Sequence, residues 1–311
     1  MSLRILMFLA VMSAVTGSPS STVAPEATSQ NQTVNPTGAA VDGGVSPDST
    51  NEIQESDLNE PQEDEMETGV LNPDHYPARR AARVVQHYLN TRYGSPYKVF
   101  HLDTVHSATA ENVTDSGRKY QVEFSVKDMI SKKSVKSSAE VFFPKLDEAT
   151  EKQLQELWYQ QQRLQQQHTP VVTISCQEPL AIDTKAQEEA WYQQNKVNQS
   201  LVSQNLPDSH GHIEPGMEPL WHLGIVASSF IMLNQSTENT LYNMAQVANV
   251  TQLETENEQL KFEYDILLHD MVSQEIPRWR MQFTWSPTEG VRVLQMQHLP
   301  KCHNCKLPET N

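Results

Sequence analysis

The sequence has 311 residues, of which 39 are acidic and 23 are lysine or arginine, so its formal net charge is −16. That charge argues against nucleic acid as a partner, because binding a phosphate backbone requires a basic surface. Beyond the first residues, no apolar run approaches the roughly 18 residues of a membrane span, so we expect no membrane-spanning helix.

The first 17 residues have the pattern of a secretory signal peptide. Arg4 gives a short basic start, Ile5–Val15 is almost wholly apolar, and Val15-Thr16-Gly17 supplies residues that signal peptidase accepts. A buried N-terminal helix is the alternative, but the residues that follow are too polar to form a core around it. We therefore expect residues 1–17 to be removed and the protein to be secreted and extracellular.

Residues 18–75 form an acidic segment that we expect to be disordered. They contain 12 acidic residues and no lysine, arginine or aromatic residue. Such a segment cannot bury enough apolar surface to offset its chain entropy. It also explains the acidity of the chain, since residues 76–311 carry only −5. Two roles fit it: weak multivalent binding of Ca²⁺, calcium mineral or matrix, or simply solvation, which is the commoner role of such segments.

In a secreted protein, five sequons are candidate glycosylation sites and three cysteines can form disulfides. The candidate N-glycosylation sites are Asn31, Asn112, Asn198, Asn234 and Asn249. Cys302 and Cys305 have CxxC spacing, which is weak support for zinc because zinc needs four ligands. In an oxidising compartment, a local disulfide or a bridge from Cys176 to one of them is favoured. The odd count leaves at least one thiol free or bonded to another chain.

Residues 76–182 predict a first α+β module. Pro77 favours a helix start, apolar residues then recur at helical spacing, and Gly94 with Pro96 ends the helix. Strand patterns follow at Lys98–His106, Tyr120–Val126, Ser137–Phe143 and Val171–Cys176. Residues 146–168 are rich in Glu, Gln and Leu and predict a helical insertion in a hairpin.

Residues 213–300 predict a second module with the same order of elements. A helix from Met217 to about Gln235 is followed by strand patterns at Leu241–Leu253, Leu260–His269, Trp279–Trp285 and Val291–Gln297. Between the modules, residues 183–212 predict a connecting helix, from Asp183 to about Gln204, and a loop. Both modules contain a similar short sequence, Asp128-Met129-Ile130 in the first and Asp270-Met271-Val272 in the second. The fold class is therefore α+β, with each helix covering a four-stranded antiparallel sheet.

No pattern typical of an enzyme is present. The sequence lacks His-Glu-x-x-His, Gly-x-Ser-x-Gly and a glycine-rich phosphate loop, so we expect neither catalysis nor a cofactor. His210 and His212 with Glu214 are candidate metal ligands, but a loop with exposed imidazoles explains them more simply. The Gln-x-Val-x-Gly hairpin of cystatins is also absent, and Trp221, Trp279 and Trp285 are expected to be core or sheet-facing aromatics.

Several motifs resemble the latexin family, which includes latexin, the retinoic acid receptor responder protein and the eggshell protein ovocalyxin. The resemblance begins with Tyr76-Pro77-Ala78 and continues in unchanged order to about Pro300. It includes Leu206-Pro207-Asp208, Asn234-x-Ser236-Thr237-Glu238, Leu267-Leu268-His269 and Ser273-Gln274-Glu275-Ile276. The resemblance implies two cystatin-like modules joined by a helix.

The resemblance also implies inhibition of zinc metallocarboxypeptidases of the A/B type. In the family, a loop of the second module enters the enzyme's active-site funnel. Its matching residues here are His269, Asp270, Met271, Val272, Ser273, Gln274, Glu275 and Ile276. His269 and Gln274 are polar groups able to hydrogen-bond the zinc site. Asp270 stands where latexin has an amide, and we expect it to repel the glutamate of a zinc site.

Two functions are therefore open. The leading hypothesis is a secreted metallocarboxypeptidase inhibitor that acts through the loop 269–276. The alternative is an extracellular matrix or biomineral-associated glycoprotein that acts through the acidic segment 18–75. The two are compatible, because one uses the folded part of the chain and the other the acidic segment.

Overall fold

The computed structural model describes residues 68–114, 116–145, 169–175, 182–198 and 201–300. Within these ranges the chain is α+β, with two antiparallel sheets of five strands each. No helix in the described ranges is long and apolar enough to cross a membrane.

The first sheet has the strand order β1-β2-β3-β4-β5. The strands are β1 (Gly69–Leu71), β2 (Phe100–Val113), β3 (Gly117–Asp128), β4 (Ser134–Pro144) and β5 (Val171–Ile174). Helix α1 (Tyr76–Tyr93) packs on one face, and its alanines, valines and Leu89 join inward-facing residues of the strands in one core. Asn90 fixes the helix to the sheet, because its side chain both donates to Phe100 O and accepts from Phe100 N.

The second sheet has the order β10-β9-β8-β7-β6. Its strands are β6 (Val202–Leu206), β7 (Tyr242–Glu256), β8 (Gln259–Asp270), β9 (Arg278–Ser286) and β10 (Gly290–Leu299). Helix α3 (Glu218–Gln235), preceded by a 3₁₀ turn at Pro215–Met217, packs on this sheet and also against α1. The aromatic core includes Trp279 and the fully buried Trp285, while Trp221 is partly buried against it, as predicted.

Helix α2 (Lys185–Asn198) lies between the two halves in sequence and packs on the second core. Trp191 stacks on Phe262 with ring centroids 6.4 Å apart and contacts Trp285 edge-on at 5.4 Å. The predicted helix to about Gln204 was too long, since Val202–Leu206 forms β6 and pairs with β7. The backbone hydrogen bonds offered by β7 outweigh the helix-forming composition of this segment.

Two further expectations need correction. Each sheet has five strands rather than four, because β1 and β6 add an edge strand to each. The predicted disordered segment 18–75 ends too late, because Gly69–Leu71 pairs with Ala108–Ala110 and buries Leu71. The run Gly69–Leu71 is short and follows acidic sequence, so composition does not distinguish it from that segment, but β2 offers it backbone groups with which to pair. The insertion 146–168 and residues 301–311 lie outside the described ranges.

The two halves repeat the same order of one helix and its strands, and several element boundaries match at one spacing. The same spacing along the chain separates Tyr76 from Glu218, Gly117 from Gln259 and Asp128 from Asp270, which are matching positions of a helix, a strand start and a strand end. The β3–β4 and β8–β9 hairpins are therefore equivalent, and each begins after a buried aspartate.

Candidate functional site

The hairpin between β8 and β9 contains the eight residues to which the family resemblance points. His269 and Asp270 end β8, residues 271–277 form the turn, and β9 begins at Arg278. Leu268 N donates to Pro277 O at 3.0 Å, and Asp270 N donates to Glu275 O at the same distance. We call residues 269–276 the β8–β9 loop.

Asp270 holds this loop together from inside. Its Oδ1 accepts hydrogen bonds from Leu241 N at 2.9 Å and Val272 N at 3.2 Å. Its Oδ2 accepts from Ser273 N and, at 2.7 Å, from Ser273 Oγ. The residue is only 5% exposed, so its charge faces the loop backbone and not a partner. The expected repulsion of a zinc-site glutamate therefore has no support in the position of this side chain.

The pKa of Asp270 reflects this arrangement. Burial favours the neutral form and raises the pKa, but hydrogen bonds from Leu241, Ser273 and Val272 outweigh burial and hold the pKa below its ordinary value. The carboxylate is consequently ionised at neutral pH. Charge-assisted hydrogen bonds of this kind are stronger than neutral ones, so the loop has a defined shape before any partner binds.

His269 and Gln274 lie side by side at the surface of the loop. His269 Nε2 is 3.4 Å from Gln274 Oε1, while Gln274 Nε2 donates to Met271 O at 2.7 Å. Gln274 has a φ of 60°, a left-handed conformation that is uncommon for a residue with a side chain. Its backbone N–H donates to Asp270 O at 2.8 Å, which holds that conformation. The structure thus brings together the two polar residues that the sequence singled out.

The tip of the loop is open to solvent. Val272 and Ile276 are 45% and 56% exposed, and Ser273, Gln274 and Glu275 between them are exposed as well. Two apolar side chains that flank a polar centre form a small surface able to bury apolar area on contact. The geometry fits insertion into a concave partner.

Leu241 and the start of β7 support the base of this loop, and a buried histidine of α1 lies near them. Met271 N donates to Leu241 O at 2.9 Å, and the next residue, Tyr242, pairs with Asp270 in the sheet. His87 of α1 is 1% exposed and lies near the Tyr242 backbone. Burial, and then the Arg83 cation, lowers the pKa of His87 to about 3, although the Tyr242 backbone opposes this. The imidazole is therefore neutral under ordinary conditions.

An ionic cluster of the buried Asp265 with two partly exposed arginines lies at the base of the loop, and sequence reasoning did not predict it. Asp265 accepts two hydrogen bonds from Arg280, at 2.8 and 3.1 Å, and one from Arg278 at 2.6 Å. Burial raises the pKa of Asp265, but the two arginines outweigh burial and lower it. The pairing of β8 with β9 would have predicted these contacts, since Asp265 lies opposite Arg280 and Leu267 lies opposite Arg278. These contacts fix the start of β9 and hence the far end of the loop.

The other sequence-predicted sites are dispersed. Asn112 and Asn249 are exposed on β2 and β7, whereas Asn234 is half-buried and accepts a hydrogen bond from Thr169 at 3.0 Å. Asn198 is the last residue of α2. Asn31, Cys176, Cys302 and Cys305 lie outside the described residues.

The loop with His210 and His212 has a structural explanation. Asp208 Oδ1 accepts the backbone N–H groups of both residues at 2.8 Å, and this carboxylate closes the turn. In the ranges that the structure describes, no three His, Cys, Asp or Glu side chains are grouped so that they could hold a metal ion.

Two antiparallel sheets, each covered by a helix, define an α+β protein whose candidate site is a projecting hairpin. The latexin family model matches residues 71–303, and the chain belongs to the latexin family. Latexin of Mus musculus is 32% identical over 233 residues, which cover 74% of this chain and 97% of the relative. Human retinoic acid receptor responder protein 1 is 27% identical over 225 residues, covering 69% of this chain and 70% of the relative. Chicken (Gallus gallus) ovocalyxin-32 is 29% identical over 226 residues, covering 72% and 74%.

Among solved structures, mouse fetuin-B overlaps 76% of this chain and 72% of its own, with 10% identity and a TM-score of 0.21. A superposition of that quality carries no argument about function.

Proposed function

We propose that this protein is an inhibitor of zinc metallocarboxypeptidases of the A/B type and not an enzyme. Membership of the latexin family supports the class of target, and the β8–β9 loop supports the mode of action. The two helix-covered sheets act as cystatin-like modules, with α2 as the connection between them. The loop enters the active-site funnel and obstructs access to the zinc, while His269 and Gln274 hydrogen-bond the groups around the metal.

One observation carries the proposal: the loop is shaped by Asp270 before binding. A free hairpin tip would lose conformational entropy on entering a narrow funnel, and that loss would weaken the complex. Here the Asp270 carboxylate has already ordered the turn, Gln274 is exposed between Val272 and Ile276, and the half-buried His269 lies beside Gln274. Binding then costs little reordering, so a small loop can inhibit.

An inhibition assay tests the proposal. The purified protein is mixed with a pancreatic-type carboxypeptidase, and cleavage of a C-terminal hydrophobic residue is followed. The double variant His269→Ala with Gln274→Ala is expected to weaken inhibition about 10- to 30-fold, because two hydrogen bonds of about 1 kcal/mol each are lost.

The repeat provides a matched control. Lys127 and Lys132 occupy the positions of His269 and Gln274 in the equivalent β3–β4 hairpin. The double variant Lys127→Ala with Lys132→Ala therefore truncates the two matching side chains there. This control is expected to inhibit like the native protein. Unchanged enzyme rates at micromolar native protein would reject the proposed function, and equal potency of the two double variants would reject the loop assignment.

Export and the acidic segment remain part of the proposal. Residues 1–17 direct secretion, and residues 18–75 give the chain a second means of contact with calcium mineral or matrix. Binding of Ca²⁺ or calcite by a peptide of residues 18–75 at physiological salt checks the second part. Detection of the mature chain in the medium of expressing cells checks the first.

A further inference from the structure

The β3–β4 hairpin repeats the frame of the β8–β9 loop in detail. Asp128 is fully buried, and its carboxylate accepts from Val99 N at 3.0 Å and Ser131 N at 2.6 Å, as Asp270 accepts from Leu241 and Ser273. Lys132 N donates to Asp128 O at 3.0 Å, and Lys132 has a φ of 62°, close to the 60° of Gln274. The two loops therefore have the same backbone conformation at these positions.

The chemistry of the two tips differs. Ser-Gln-Glu at residues 273–275 is replaced by Ser-Lys-Lys at residues 131–133, and all three residues of this second tip are exposed. Asp128 is turned inward, so it leaves the surface charge of the tip to the lysines. Lys127, which is half-buried, precedes the turn. The backbone of the half-buried Lys98 adjoins the hairpin, because the next residue, Val99, donates to Asp128 and accepts from Met129 N. None of these four lysines forms an ion pair with a residue in the described ranges.

These four lysines lie on a chain of net charge −16. Like charges held on one rigid hairpin repel one another, and an anionic ligand relieves that repulsion. The frame thus places several positive charges on one hairpin.

The composition of the tip distinguishes between anionic partners. Protein–protein interfaces are depleted in lysine and rely on tryptophan, tyrosine and arginine. Residues 130–133 contain two lysines, Ser131 and one moderately exposed apolar residue, Ile130, at 38%, with no aromatic residue and no arginine. Lysine ammonium groups are strongly hydrated point charges on flexible stems, which suit an anionic polymer that binds by releasing counterions.

We infer that the β3–β4 hairpin, through Lys98, Lys127, Lys132 and Lys133, binds a sulfated polysaccharide. This activity is separate from the proposed inhibition, because it uses the equivalent hairpin of the other half. One protein would then carry two loops of the same shape, one neutral to acidic and one basic, for two kinds of partner.

Heparin affinity chromatography tests this inference on the full chain. The native protein is expected to be retained at low salt despite its net charge, and Lys132→Gln with Lys133→Gln should elute at clearly lower NaCl. Loss of two contacts should lower the slope of log K against log salt by about two. Glutamine at position 132 is compatible with the left-handed backbone, since Gln274 adopts it.

The matched control removes two lysines that already have acidic partners. Lys196 pairs with Glu258 and Lys261 with Glu256, so Lys196→Gln with Lys261→Gln changes net charge equally. This control should elute like the native protein. The variant Lys132→Gln with Lys133→Gln should inhibit carboxypeptidase like the native protein. Failure of the native protein to bind heparin, or an equal shift by the control, would overturn the inference. So would loop-dependent binding to phosphatidylserine vesicles without binding to heparin.

Discussion

Asp270 shows how a single buried carboxylate can determine the shape of a surface loop. It joins three parts of the chain: the end of β8, the turn itself and Leu241 before β7. Its replacement removes the acceptor of the buried Leu241 N–H and of the Val272 and Ser273 N–H groups, and an unpaired N–H group is costly where it is buried. The residue therefore positions the loop without touching a partner.

Asp270→Ala is expected to lower the free energy of unfolding by about 1–3 kcal/mol and to weaken carboxypeptidase inhibition at the same time. Asp128→Ala makes the same cut in the equivalent hairpin and should destabilise to a similar extent, but leave inhibition unchanged. Urea denaturation and the inhibition assay measure the two quantities. If Asp128→Ala reduced inhibition as strongly, global destabilisation would be the cause. The result would contradict a positioning role of Asp270 in the β8–β9 loop.

The three sequons with described side chains also differ at this scale. Asn112 and Asn249 are exposed, whereas the Asn234 amide is bonded to Thr169 and the Ser236 hydroxyl is buried and donates to Met232 O. A chain expressed through the secretory route should carry glycans at Asn112 and Asn249 but not at Asn234. Glycopeptide mass spectrometry reads the occupancy, and a fully glycosylated Asn234 in folded protein would contradict the expectation.

At the scale of elements, α1 and α3 meet where Gly94 ends α1. A Cβ at this position would lie 2.5 Å from Asn90 O and 2.7 Å from the Val226 Cγ2 atom of α3. Gly94→Ala is expected to cost about 1–3 kcal/mol, because the two helices must separate slightly to admit a methyl group. Gly216→Ala, with nothing within 4 Å, should change the stability by less than about 0.5 kcal/mol. Equal denaturation midpoints of the two variants would show that the helix contact can yield.

The elements differ in how well the sequence predicted them. Helices α1 and α3 and most of the long strands have strong periodicity, so their positions were predicted to within a few residues. β2 is the exception, because it continues to Val113, well past its predicted end at His106. β1 and β6 have little periodicity, since an edge strand is defined by the partner that it pairs with. The loop was identified by family resemblance, because isolated turn residues such as His269 and Gln274 carry no local signal. The role of Asp270 depends on Leu241, a residue distant in sequence, and no local pattern predicts that bond.

At the scale of the whole molecule, stability should fall in two steps as the pH is lowered. An unfolded chain protonates His87 near its ordinary pKa of 6.5, while the folded chain resists until about 3, so protons favour unfolding between these values. Asp265 and Asp270 have folded pKa values below the ordinary 3.8, so their contribution is complete above about pH 4 and is lost as the pH falls through the folded pKa.

His87→Leu separates the two steps. This variant should flatten the decline in unfolding free energy between about pH 6.5 and pH 4 and leave the steeper loss below that range. Urea denaturation at a series of pH values gives the profile. An unchanged slope above pH 4 would mean that His87 is not buried as the structure places it.

The contacts between the halves are reciprocal. His222 of α3 lies 3.0 Å from Pro96 O, and the equivalent residue of α1, Arg80, lies near Glu238, which is the equivalent of Pro96. Contacts that read the same in both directions are characteristic of a twofold axis, as in a symmetric homodimer. The two contacts are therefore related as they would be across an approximate twofold axis between the halves. The two hairpins are equivalent positions of one repeated frame, and they differ in the charge of their tips.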